Sequence, residues 1–392
     1  HRVGRVSTVI HSARRAGSGD VVVDAWVRFD DGLVTGTGRG DGWRELADEQ
    51  TEVVDAAGRW LVPGFVDIHC HGAGGASVDD GPDAIRTAFG VHRRHGATRS
   101  VASLVTAPID DLVTRVGVVR DAVRTDQRVL GSHLEGPFLA PEYRGAHDPS
   151  SLVTPDAASV ERLLDAADGT LRMVTLAPEL PGALDAVRRF VAADVTVAVG
   201  HTAATFDQAL AAFDAGASVL THAFNAMPGV HHRAPGPVAA AMRESHVTLE
   251  IVNDGVHVHP EVVRLAFLGA PGRVALVTDA MSATGIGDGE TTLGGLDVDV
   301  TDGVARLRSN GAIAGSTLTL DEAVRRTVLD CRIDPVQAID AATVAPAAAI
   351  GRAVDLGRLE PGCAADAVLL DDALRVVQVV SGGHPLDRPG ER

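Results

Sequence analysis

Between residues 60 and 280 the chain carries eight short, almost uninterrupted apolar runs, each separated from the next by a segment with helical spacing. In order they are WLVPGFVDIH (60–69), TRSVASLVT (98–106), RVLGSHLEG (128–136), RMVTLAPE (172–179), VTVAVGH (195–201), SVLTHAFN (218–225), HVTLEIVNDG (246–255) and RVALVTDA (273–280). A strand with one wet face alternates apolar and polar residues, whereas a parallel strand covered on both faces does not. Eight such strands alternating with helices predict an α/β fold, a (β/α)8 TIM-like barrel. An open doubly wound sheet is the alternative.

The flanks read differently. Residues 1–58 alternate apolar and polar positions between Gly-rich and Asp-rich turns, as in VVVDAWVRFDDGLVTG, and residues 355–380 do the same. This is antiparallel behaviour. The organisation expected is a barrel over 59–350 and a small β-sandwich domain built from both chain ends, 1–58 and 351–392. GGLDVDVTDGVARLRSNGAIAG (294–315) reads as a further hairpin rather than a helix. His1 is an unusual first residue and reads as a tag remnant or as the sign of missing leading residues.

Composition removes several classes of function. With 392 residues and 45% hydrophobic content, a large core is available. The net charge of −17 opposes binding to nucleic acid or to an anionic membrane. No run is long and apolar enough for a membrane span and no leader pattern is visible, so the expected location is cytoplasmic. The cysteines Cys70, Cys331 and Cys363 are odd in number and far apart, which fits free thiols in a reducing compartment. All 35 basic residues are Arg and none is Lys. Schiff-base chemistry, a phosphate-loop Lys and a carbamylated Lys bridging two metals are therefore excluded.

In a barrel the active site forms at the carboxyl ends of the strands. The first run ends in DIHCHG, where the period of two puts His69 and His71 on one face and Cys70 on the other. The third run ends at Glu135, the fifth at His201, the sixth contains His222 and the eighth ends at Asp279. One histidine at a strand end is more often a satisfied core or surface residue than a ligand. Six such groups on one rim are not explained that way. His and carboxylate donors without thiolate suit Zn, Fe, Mn or Co, and a catalytic rather than structural site. Cys70 is read as core packing.

These residues carry a resemblance. The chain resembles the amidohydrolase superfamily and, within it, the N-acetylglucosamine-6-phosphate deacetylase family. The matching segments are HLEGPFLAPEYRGAHDP (133–149), VGHTAAT (199–205), THAFNAMPGVHHRAPG (221–236), NDGVHVHP (253–260), VTDAMSATG (277–285) and AGSTLTL (314–320). The resemblance implies metal-dependent hydrolysis of N-acetylglucosamine 6-phosphate to glucosamine 6-phosphate and acetate, in amino-sugar catabolism or cell-wall recycling. It implies one or two divalent ions on His69, His71, Glu135, His201 and His222, with Asp279 as the catalytic acid and base. Both histidines of the H-x-H are present, which suggests two ions sharing Glu135.

By the same resemblance His147, Asn225, the backbone of Ala226, Arg233 and His257 contact the phosphorylated amino sugar. A homodimer is implied, with the Arg233 loop crossing to the other copy. Arg suits a phosphate because its planar fork forms paired charge-assisted hydrogen bonds. His231 and His232 are equally readable as solvated loop residues, and His92, His95 and His133 are read as structural. Two rival readings remain: another amidohydrolase, such as a deaminase or D-amino-acid deacylase, and a non-catalytic sugar-phosphate binder. The latter should have lost a ligand or the acid.

Overall fold

The computed structural model describes residues 7–386. The outermost parts of the two expected terminal segments, His1 included, lie outside the described residues. Eight parallel strands follow one another in sequence order around a barrel. They are β1 (Phe65–Cys70), β2 (Ala97–Val105), β3 (Val129–Glu135), β4 (Leu171–Leu176), β5 (Thr196–Val199), β6 (Val219–Leu220), β7 (Thr248–Ile251) and β8 (Val274–Leu276). Five lie within the apolar runs, and β1, β2 and β4 each extend one residue beyond theirs. Closure comes just past β8, where Cys70 pairs with Ala280 and the Asp279 N–H donates to the His69 carbonyl at 2.8 Å.

Each strand leads into a helix on the outside. These are α1 (Pro82–Arg94), α2 (Ile109–Thr125), α3 (Ala157–Ala167), α4 (Ala183–Ala192), α5 (Phe206–Asp214), α6 (Gly236–Arg243), α7 (Pro260–Gly269) and α8 (Leu320–Leu329). Their starts are chemically marked. Asp156 accepts from the Ser159 N–H ahead of α3, and Thr205 with Gln208 forms a reciprocal capping box at α5. The main core fills the space between barrel and helices, where β1 and β3 are buried at every position. That explains why their sequences do not alternate.

The first apolar run is divided between two sheets. Trp60–Pro63 pairs with Ser7–Gly17 and antiparallel with Ala367–Leu370 in an eight-stranded sheet made by both chain ends, while Phe65–Cys70 opens the barrel. Gly64 sits at the division because nothing larger fits. A Cβ there would lie 2.2 Å from Thr98 Oγ1 and 2.8 Å from the Asp366 Cβ. Within the terminal sheet Ser7–Gly17 carries two register shifts, and strands from both ends share a core of Ile10, Val27, Phe29, Leu61, Ala367 and Val380. The expected hairpin is a three-stranded antiparallel sheet, Gly289–Leu293, Leu296–Thr301 and Val304–Leu307. It packs on Val105, Ala146 and Met281 beside the barrel mouth.

Candidate active site

The carboxyl ends of five strands bring six groups together at that mouth. His69 lies within β1 and His71 directly follows it; Glu135 is the last residue of β3; His201, His222 and Asp279 lie just past β5, β6 and β8. All six are buried. The last three leave their strands in left-handed backbone conformation, with φ of 46°, 26° and 48°. Such conformations are costly for residues other than Gly and persist where the surroundings enforce them. Their effect here is to turn each side chain off the strand direction into the mouth.

Glu135 is the centre of the cluster. Its Oε1 stands 3.1 Å from both His201 Nε2 and His222 Nε2 and 3.4 Å from His69 Nε2, while its Oε2 stands 2.9 Å from His71 Nε2. Asp279 Oδ1 lies 3.4 Å from His71 Nε2 and 3.5 Å from His69 Nε2. The imidazoles fall into two pairs, His69 with His71 at 3.2 Å and His201 with His222 at 2.9 Å between Nε2 atoms.

Nitrogens converging this closely, with carboxylates beside them, fit the coordination shell of a cation. Tetrahedral ligands at about 2.0–2.1 Å from zinc stand about 3.3 Å from one another. His69, His71, Glu135 and Asp279 form one group whose ligand atoms lie within 4.8 Å of one another, and Glu135, His147 and His201 form a second. The donors present therefore fit a divalent metal centre, and Glu135 belongs to both groups.

Burial and the neighbouring groups set the ionisation of the cluster. Burial opposes charge on Glu135, but the His69 and His147 charges outweigh it and hold the carboxyl well below its usual range. Asp279 is likewise held down, burial being outweighed mainly by His69 and by the hydrogen bond with His71. Burial disfavours a charged His71, yet its bonds to Asp279 and Glu135 win and hold it up at about 10. Burial dominates at His201, which falls to about 4. Ionised carboxylates facing imidazoles in a buried pocket attract positive charge.

Backbone and outer carboxylates orient the rings. His69 Nδ1 donates to Glu250 Oε2 at 3.0 Å and His201 Nδ1 donates to the Tyr143 carbonyl at 2.8 Å, leaving each Nε2 lone pair directed at the cluster. Asp67 accepts from the Thr278 hydroxyl at 2.6 Å and from the His69 N–H at 3.3 Å, tying β1 to the Asp279 turn. Glu250 and Asp67 were not among the residues expected from sequence. Their trace was a carboxylate inside an otherwise apolar run, TLEIV and FVDIH.

A cavity of about 330 Å³ opens above the cluster, at the small end of the ~300–1,000 Å³ range of ligand sites. His147, Asn225, Ala226 and His257 line it, together with the ligand candidates His71, Glu135, His201, His222 and Asp279. His147 comes closer to the centre than its sequence reading implied, with Nε2 3.4 Å from Glu135 Oε2. His257 is steadied by Asp254 at 2.7 Å. Leu293, Ala312 and Ile313 bring the hairpin sheet to one wall, a contribution the sequence did not indicate.

Arg233 is not brought to this cavity. It is exposed in the 229–235 loop, where its guanidinium donates to His232 at 2.8 Å. His231 and His232 are exposed beside it. His133 lies below the cluster, bonded through both ring nitrogens to Ser103 and Thr175 at 2.9 and 2.8 Å. Cys70, Cys331 and Cys363 are all free and buried. No helix among the described residues is long and apolar enough to cross a membrane.

Known proteins place this geometry. The amidohydrolase family model matches residues 60–386. The chain is 41% identical over 325 residues to N-acetylgalactosamine-6-phosphate deacetylase of Escherichia coli O157:H7, covering 81% of this chain and 85% of that protein. It is 37% identical over 306 residues to N-acetylglucosamine-6-phosphate deacetylase of Vibrio furnissii, with 77% and 76% covered. A variant of N-acetyl-D-glucosamine-6-phosphate deacetylase from Mycobacterium smegmatis, solved in complex with N-acetyl-D-glucosamine-6-phosphate, superposes with a TM-score of 0.90 at 40% identity, over 97% of this chain and 99% of that one. The barrel, the His and carboxylate cluster at its carboxyl end and these matches agree, and the chain belongs to the amidohydrolase family.

Proposed function

We propose that the protein hydrolyses the acetamide of N-acetylglucosamine 6-phosphate, releasing acetate and glucosamine 6-phosphate, with one or two divalent ions at the cluster. The observation that carries this is the arrangement of four imidazole Nε2 atoms around Glu135, with Asp279 at its edge and a cavity of sugar size above. The relatives named above support the substrate. Two ions sharing Glu135, taken from Zn, Fe, Mn or Co, agree with the two overlapping donor groups.

A divalent ion held by His69, His71, Glu135, His201 and His222 would supply Lewis acidity, the chemistry that lowers the pKa of water from about 15.7 toward about 7. Asp279 takes a proton from the attacking water at Oδ1 and returns it to the departing nitrogen, because an amine leaves only when protonated. His147 sits where it can donate toward the acyl oxygen as charge develops. Asn225, the Ala226 N–H and His257 orient the sugar phosphate. Arg233 is offered from an exposed loop to the phosphate of a second copy, in a homodimer. Free thiols throughout fit a cytoplasmic enzyme.

The 41% relative acts, by its name, on the C4 epimer, which favours N-acetylgalactosamine 6-phosphate as a second reading. The test is acetate release from both phosphorylated sugars and from unphosphorylated N-acetylglucosamine, by chelated enzyme and by enzyme with Zn, Mn, Co or Fe restored. Metal-dependent release from N-acetylglucosamine 6-phosphate in preference to the other two is expected. Preference for the epimer would establish the second reading, and release from none would overturn both.

A further inference from the structure

We infer that Glu250 is a positioning residue that couples the two halves of the metal centre, setting the affinity of both through a single carboxylate oxygen. Glu250 lies in β7, is fully buried, and does not line the cavity. Its Oε2 accepts two hydrogen bonds: from His69 Nδ1 at 3.0 Å, in the first imidazole pair, and from the His222 N–H at 3.2 Å, in the second. Its backbone carbonyl accepts from the Ala223 N–H at 2.8 Å. The residue thus holds the turn that carries His222 at two successive amides.

The two bonds do different work. At His69 the carboxylate fixes which ring nitrogen carries the proton, so Nε2 presents its lone pair to Glu135 and Asp279. At His222 it stabilises a left-handed residue, φ 26°, whose conformation aims the ring at Glu135 and His201. An ionised group without solvent is costly unless paired. Oε2 is shared between the His69 Nδ1–H and the His222 N–H, and the other oxygen, Oε1, has no hydrogen-bond partner among the described residues. The charge of Glu250 therefore acts through His69 on whatever cation that ring holds. Such outer partners of metal-bound histidines typically change metal affinity by about 10–100-fold.

This rests on the metal reading of the cluster and not on the choice of sugar, so failure of the proposed substrate leaves it standing. The experiment strips the full-length protein of metal and titrates Zn2+ against a chromophoric chelator, for the parent, Glu250→Gln and Glu250→Leu, with folding checked by circular dichroism. Glu250→Gln keeps the size and removes the charge. Both stoichiometric zinc affinities are expected to fall about 10–100-fold, more in the Leu variant than in the Gln variant. Unchanged affinities in a folded variant, or loss at one position alone, would overturn the coupling. A second measurement needs no variant. In zinc-loaded, nitrogen-15-labelled parent protein, the His69 ring should show its proton on Nδ1, and a proton on Nε2 would refute the assignment.

Discussion

Replacing Glu135 by Gln should all but abolish metal binding while leaving the barrel folded. The carboxylate stands 3.1 Å from His201 Nε2 and from His222 Nε2, and 2.9 Å from His71 Nε2. At about 3 Å and an effective dielectric of about 20, a unit charge and its opposite interact by roughly 5 kcal/mol. The amide of Gln has the same size but no charge, and it directs an N–H into a space shared by imidazole lone pairs. A loss of about 5 kcal/mol corresponds to roughly three to four decades in affinity. The variant should therefore bind Zn2+ about 10³–10⁴-fold more weakly in a chelator-competition titration and should carry little metal on purification. Its thermal unfolding should remain cooperative, because Gln keeps the size of the side chain and leaves the packed barrel core unchanged. A folded Glu135→Gln protein with zinc affinity within about tenfold of the parent would refute the shared-ligand geometry.

Four further outcomes are expected. Asp279→Asn should retain substrate affinity but lower kcat by about 10²–10⁴-fold, the usual scale for a lost acid and base; near-normal kcat would remove Asp279 from proton transfer. Arg233→Ala should raise KM for the phosphorylated sugar with little change in kcat, and an unchanged KM would remove Arg233 from phosphate binding. Gly64→Ala forces a methyl group against Thr98 and Asp366 and should destabilise the protein by about 1–3 kcal/mol, read as a lower Tm; an unchanged Tm would show that the strand junction relaxes freely. Asp30 is held at about 2, mainly by its hydrogen bond with Arg28 and against burial. Its depressed pKa adds stability that is fully present above about 4 and disappears as pH falls through about 2. Asp30→Asn should flatten the urea midpoint over that window, and an unaltered acid limb would contradict it.

The local chemistry of the strands was legible because it needs only neighbours in the chain. Continuous apolar runs follow from burial on both faces, so eight of them announced the barrel. The polar residues at the ends of those runs, His69, His71, Glu135, His201, His222 and Asp279, then marked the end at which the candidate site gathers. Glu135 stood out by its place at the end of the third run and by the family resemblance, and the absence of Lys agreed with a carboxylate there. Even the hairpin read over 294–315 was visible in its alternation, although its first strand, Gly289–Leu293, lies ahead of that stretch.

What sequence could not supply depends on contacts between residues far apart in the chain. Glu250 meets His69 across 181 positions and Asp67 meets Thr278 across 211. Either carboxylate, read locally, is only an odd charge in an apolar strand. The run 60–69 looked like one strand because its apolar pattern is continuous. Only packing at Gly64, against Thr98 and Asp366 from distant segments, divides it between two sheets. His147 had a motif but no position until the loop after β3 folded it beside Glu135. Residue types and strand order were thus written in the chain, because burial and periodicity act locally. Ring orientation, shared ligands and the outer carboxylates belong to the tertiary structure, because they arise only when barrel closure brings β1 and the end of β8 together.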